Sequence, residues 1–160
     1  MKFASLIIPA LLATVIPAAA VPLSQQDTAY LTSAMQEQLG RYALATMVSR
    51  SGSGAVQSYA RNVVKDAAAN TTALDALAKR DGVAIPKGPN TLDDYHYSQM
   101  QGLHGSRLDQ EFVDALRADV GMEQDNVKTE MTSGQDPSVK AFAKKRYSAM
   151  QHEATQLKQL

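Results

Sequence analysis

The chain has no cysteine among its 160 residues. Without a thiol there is no disulfide framework, Cys-ligated zinc, iron–sulfur cluster, thiol nucleophile or cysteine-borne lipid. Charge of one sign is also missing: 16 Lys and Arg balance 16 Asp and Glu, so no overall field draws in nucleic acid or an anionic membrane surface. Aromatic residues make up only 6% of the chain, and the β-branched or aromatic alternation of strands is absent. No Gly-x-Ser-x-Gly elbow and no Gly-x-x-x-x-Gly-Lys phosphate loop occurs, which removes two common catalytic frameworks. His96, His104 and His152 are too scattered to give a serine its base and orienter.

The one long apolar run lies at the N-terminus. Lys2 is followed by a nearly uninterrupted apolar stretch from Phe3 to Ile16, and Ala18-Ala19-Ala20 has the small-x-small form of a cleavage site. Residues 1–20 therefore read as a secretory signal, leaving a single domain over 21–160 in the periplasm or outside the cell. The run is shorter than the roughly 20 apolar residues of a spanning helix and contains Pro9, so no stable membrane anchor is expected after signal removal.

The remainder reads as helices. Glycine and proline cluster at Gly52–Gly54, Gly82–Pro89, Gly102–Gly105 and Gly134–Pro137, and the stretches between them are rich in alanine. A first helix should start after Ser24, with Asp27 at its positive end, and fray near Ser49–Gly54. A second should run from about Ala55 to Asp81 with Gly82 as a left-handed cap. Ser106 with Asp109 should open a third, and Asp136-Pro137 a fourth. On the second, Val56, Ala60, Val63, Ala67, Asn70, Leu74 and Leu77 form one seam at helical spacing, Asn70 its only polar member. Leu108, Phe112, Leu116, Val120, Val127 and Met131 mark the third, and Val139, Phe142, Arg146, Met150, Glu153, Leu157 and Leu160 the fourth. These stripes predict that Ala67, Phe112 and Val120 are buried while Lys144 and Lys145 are exposed.

Such stripes must cover one another, and four antiparallel helices around one core do so most simply. The Gly82–Gly105 link is far longer than usual in a bundle. It should hold a short helix over Thr91–Gln101 capped by Asn90 or Thr91, and it is long enough to let the second and third helices run parallel, as in ferritin-like topology; a simple up-down bundle stays open.

The order VQSYARNVVKDAAANTTALDALAKRDGVAIP, LHGSRLDQEFVDALRADV, DPSVKAFAKKRY resembles the exported bacterial domain-of-unknown-function family 4142, ferritin-like four-helix proteins, over roughly Asp27 to Leu160. The resemblance implies a fold and an exported location, and no activity. Where the family favours Asp-His on its second and third helices, this chain has Asp66-Ala67 and Asp119-Val120. The family's acidic position on the first helix aligns with Gly40, and its histidine near the end of the fourth with Glu153, beside His152. Histidines restored at 67 and 120 would, on this reading, meet near Glu153.

A carboxylate di-metal site takes a Glu from each of two helices and Glu-x-x-His from two others. No Glu-x-x-His occurs, and the nearest form, Asp93-x-x-His96, lies in the crossover without a second copy. His96 and His104 read as solvent-facing or capping groups and His152 as a boundary residue. Polar seam residues read as register pairs: about a turn near Gln135, Arg117 comes level with Glu153 and Glu123 with Arg146, and about Gly52–Gly54, Glu37 comes level with Asn70. At partly exposed edges each such ion pair contributes about 0–1 kcal/mol. Lys144-Lys145-Arg146 reads as a solvated face and the scattered methionines as core filler.

No catalytic, cofactor-binding or metal residue is assigned. The expectation is a non-catalytic exported protein, envelope- or stress-related, acting on an envelope component or another protein, with the partner and the oligomeric state open. The alternative is a metal-binding or redox ferritin-like protein with a reduced ligand set of Glu37, Glu123, Glu153 and His152.

Overall fold

The computed structural model describes residues 23–160; the signal expected over 1–20 lies outside the described residues. The helices are α1 (Gln25–Ser51), α2 (Gly54–Asp81), α3 (Thr91–Met100), α4 (Ser106–Ser133) and α5 (Pro137–Leu157). The fold is all-α, a four-helix bundle of α1, α2, α4 and α5 with α3 in the crossover. Among the described residues no helix is long and apolar enough to cross a membrane.

Local chemistry sets most helix ends. Ser24 and Asp27 form a reciprocal capping box on α1, Gly82 closes α2 at φ 67°, and Asp136 accepts from Ser138 N and Val139 N at α5. Asn90 caps α3 by accepting from Asp93 N at 2.9 Å. The start of α4 differs from expectation. Gly105, at φ 59°, is its cap and offers no side chain. Asp109 instead accepts from Ser53 N at 3.1 Å and from the Ser53 hydroxyl, tying α4 to the α1–α2 turn.

Contacts at the helix ends establish the topology. The C-terminal end of α1 meets the start of α4 through Ser53 and Asp109, while Asp27 at the other end of α1 accepts from Gln135 N and Asp136 N beyond α4. Hence α1 and α4 are antiparallel. Since α2 folds back on α1, α2 and α4 run parallel, which is the ferritin-like arrangement with one long crossover. α3 packs on α1 and α4, while α2 and α5 make the loosest seam of the bundle.

The apolar core has two parts. One gathers Leu44, Val48, Phe112, Leu116 and Leu157; the other gathers Tyr30, Leu31, Leu74, Val127, Val139 and Met150. Ala67, Phe112 and Leu116 are buried as the stripes predict, and Lys144 and Lys145 are exposed. Val120 is only half-buried, because Asp119 takes the inward position beside it. Met131 and Phe142 are likewise half-buried, and Leu160 is exposed.

Gly40 on α1 is where α3 approaches most closely. A Cβ there would collide with the Asp93 carboxyl. Gly40→Ala is therefore expected to cost about 1–3 kcal/mol by overpacking, and a second change, Asp93→Ala, should return only part of it, because the Cβ of residue 93 still lies 2.5 Å from the new methyl. Thermal unfolding of the two variants checks this.

Candidate functional site

Between the two apolar clusters lies a layer of charge. On α1 the inward stripe runs Asp27, Leu31, Ala34, Gln38, Arg41, Ala45, Val48, and on α4 it runs Asp109, Phe112, Leu116, Asp119, Glu123, Val127, Glu130; every one of these is buried. The spacings of three and four are those of a core face, so the helix phase carries these polar groups inside.

Arg146 organises the layer. Its Nε and Nη2 donate to the two oxygens of Glu123 at 2.6 and 2.5 Å, a two-pronged fork. Its Nη1 and Nη2 both lie 3.3 Å from Glu153 Oε2. Glu153 Oε1 pairs with Arg41 and accepts from the Tyr59 hydroxyl at 3.2 Å. The expected Glu123–Arg146 pair is thus present, but it is buried rather than at an edge. Arg117 does not face Glu153: it bonds to Asp114 and to the Leu157 carbonyl, because its position on α4 points outward.

Three more carboxyls border this network. Burial and the nearby charge of Glu123 push Glu37 up to about 8, and one of its oxygens has no partner. Burial and Asp119 push Asp93 up to about 7; it receives Asn90 Nδ2 at 2.8 Å on one oxygen and nothing on the other. Asp119 is raised by burial, and Arg41 and His96 oppose that rise. Two guanidiniums and the protons held by Glu37 and Asp93 offset most of the charge of five carboxyls. Beside Gly40, a carboxyl is delivered from α3 by Asp93.

A second buried pair sits at the far end. Burial alone would raise Asp27, but bonds from Ser24 and from the backbone of Asp136 and Gln135 outweigh it and hold Asp27 down to about 2. Burial and the Asp27 carboxylate beside it push Glu130 up to about 7.

Asn70 is bonded as expected, but to Gln38 Oε1 (3.1 Å) and not to Glu37, since Gln38 holds the inward position. Gln38 is buried and its Nε2 already lacks a partner. Asn70→Leu would strip the other end as well, so it should lower stability by about 1–3 kcal/mol. Adding Gln38→Leu should recover most of the loss in a urea titration.

These donors do not suit a di-metal centre. Glu123 and Glu153 are taken by guanidiniums, Glu37 beside them is raised above the usual carboxylate range by burial and Glu123, and His152 is exposed. Among the described residues, no group of three or more His, Asp or Glu is arranged to hold a metal ion. His96 is half-buried, its Nδ1 3.4 Å from Glu111 Oε1, and His104 is exposed. Ala67 borders the cleft between α2 and α5, whereas Val120 borders a separate depression beside Leu157. Histidines at these two positions would not share a site, which corrects the expectation that they meet near Glu153.

The cleft itself is about 500 Å³ and opens onto the charged layer. Its floor is Gln38, Arg41, Tyr59, Asn70, Arg146 and Glu153, and Lys65, Asp66, Lys145 and His152 stand around it. Sequence reasoning passed over Arg41 and Glu130, and met Asp93 and Asp119 only as part of an Asp-x-x-His spacing and of the family's Asp-His position, not as interior carboxyls. For Arg41, Asp119 and Glu130 the signal was available in the three-and-four spacing of their stripes; for Asp93, placed by a crossover helix, it was not.

A crystal structure of a DUF305 fragment from Deinococcus radiodurans is similar to this chain, with a TM-score of 0.76 and 13% identity over 86% of this chain and 96% of that one. At that identity the likeness is one of fold. No curated protein matches the chain. The sequence profile described as "Domain of unknown function (DUF4142)" matches residues 13–160.

Proposed function

We propose that this chain, which belongs to the DUF4142 family, is an exported, non-catalytic helical protein that acts through its surface on an envelope component or another protein. The observation that carries the reading is the Arg146 fork between Glu123 and Glu153. It fills the bundle interior with committed ion pairs, where a ferritin-like catalyst would need open metal coordination. The export half of the proposal rests on Lys2, the apolar run and Ala18-Ala19-Ala20.

The surface supplies a candidate contact. Tyr95 is 57% exposed on α3, and Tyr97 on the same helix and Tyr42 on α1 are exposed too. Tyrosine is enriched at protein interfaces because it combines a large apolar face with a polar tip. Cross-linking in the native envelope tests the role: a partner captured by the wild type should be lost with Tyr95→Ser/Tyr97→Ser while helicity and Tm hold. Equal capture by both proteins would remove α3 as the contact surface. Localisation of the chain to the cytoplasm would remove the envelope role altogether.

A further inference from the structure

The α2–α5 cleft has no part in that surface role, since α3 packs on α1 and α4 at the opposite flank. At about 500 Å³ it falls in the range of small-molecule sites, about 300–1,000 Å³. It persists because α2 and α5 face each other there through short side chains, among them Ala67, Ala69 and Ala149. Arg80 with Asp136 and Tyr59 with Glu153 link the helices toward its two ends.

Its charge is unlike that of the whole chain. Arg146 and Arg41 are already matched by Glu123 and Glu153, but Lys65 and Lys145 stand at the cleft's border against one carboxylate, Asp66, although the full sequence is balanced. Lys65 and Lys145 make no ion pair among the described residues.

Donors without partners also lie beneath the floor. Arg41 is 3% exposed and Gln38 1%, yet Arg41 Nη1 and Gln38 Nε2 have no hydrogen-bond partner. Buried donors without acceptors are costly. Burial and the charge of Arg146 both pull the Arg41 guanidinium below its ordinary pKa. Glu123 and Asp119 oppose that pull from inside the bundle, so the place left for an anion is the cleft side, next to Lys65 and Lys145.

We propose that the cleft binds a small solute bearing an oxyanion head, an organic carboxylate or a phosphate ester. The head is held by Arg41 with Lys65 and Lys145, and the body lies along the alanine wall of α2 and α5. Either head offers acceptor oxygens to an ammonium or a guanidinium; Arg41 has Nη1 to give, since its Nη2 is taken by Glu153.

Glutarate and glycerol 3-phosphate, titrated separately into isotope-labelled protein isolated from cells, test this, with glycerol and sodium chloride at matched ionic strength as controls. Saturable amide shifts clustered around the cleft on α2 and α5, produced by either acid and not by the controls, are the expected result. The acid that binds more tightly identifies the head group. Lys65→Gln/Lys145→Gln, on exposed positions that leave the core alone, should weaken binding about tenfold or more, the equivalent of one charge-assisted hydrogen bond. Ala69→Trp should block the cleft and abolish the shifts. No saturable shift with either acid, or shifts unchanged in both variants, would overturn the proposal and leave the surface role untouched.

Discussion

Replacing Arg146 with methionine is expected to lower the free energy of unfolding by about 3–5 kcal/mol at neutral pH, the scale of breaking a buried ion pair from one side. The fork to Glu123 uses both carboxylate oxygens, and Glu123 is 2% exposed. With the guanidinium gone, Glu123 must stay ionised without a counter-charge or take up a proton. Glu153 is better protected, because Arg41 and Tyr59 remain. Arg146→Met combined with Glu123→Leu should recover most of the loss, since an apolar pair in place of a buried ion pair is often neutral or better. Lowering the pH should shrink the cost of the single change, because the stranded carboxylate then protonates. Urea unfolding at two pH values measures all of this. A single-variant loss below about 1 kcal/mol would place the pair with ordinary surface bridges.

Stability should fall as pH rises from about 5 to about 8. Glu37, Asp93 and Glu130 are raised to about 8, 7 and 7 by burial and neighbouring carboxylates, whereas in the unfolded chain such groups titrate near 4. Over that window the native state holds protons that the unfolded state has released, so the slope of unfolding free energy against pH is negative. The stabilisation is complete below the unfolded pKa values and is lost as pH climbs through the folded ones. Asp27 works in the opposite direction: held at about 2, it stabilises above its unfolded pKa and ceases to as pH falls toward 2. The optimum should therefore lie near pH 4–5, the interval between these two sets of transitions. Glu37→Gln keeps the shape and removes the titration, so it should flatten the decline and raise stability at pH 8 by a few kcal/mol. Tm measured from pH 4 to 9 on both proteins decides it; a wild-type Tm that climbs to pH 8 would contradict the assignment.

Much of the fold is legible in the sequence, because it rests on local rules. The capping pair Ser24 and Asp27, the left-handed Gly82, the Asn90 cap and Asp136-Pro137 each act within one turn of chain, and each stands where the spacing puts it. The crossover length allowed parallel second and third helices without deciding between them and an up-down bundle, and the contacts of Asp27 and Asp109 make them parallel. The charged layer was only half readable. Glu123–Arg146 follows from counting about one turn, since both residues belong to a single hairpin. Arg41–Glu153 joins the first helix to the last, and no local count reaches it. The third-helix stripe was read through Val120 because valine is apolar, but Asp119 continues the phase of Phe112 and Leu116 more closely and goes inside. Asp93 reaches Gly40 only because a crossover helix happens to lie there, and nothing in the spacing of either segment shows it.

Interior carboxyls balanced by Arg41, Arg146 and bound protons need no metal ion among their partners. The measurement that tests this most directly is elemental analysis of protein purified from its native compartment without chelators, joined to thermal unfolding with added zinc. No stoichiometric iron, manganese, zinc or copper and a Tm that zinc does not move are the expected results. A stoichiometric metal, or a zinc-dependent rise in Tm that disappears in Glu37→Gln or Glu153→Gln, would contradict it.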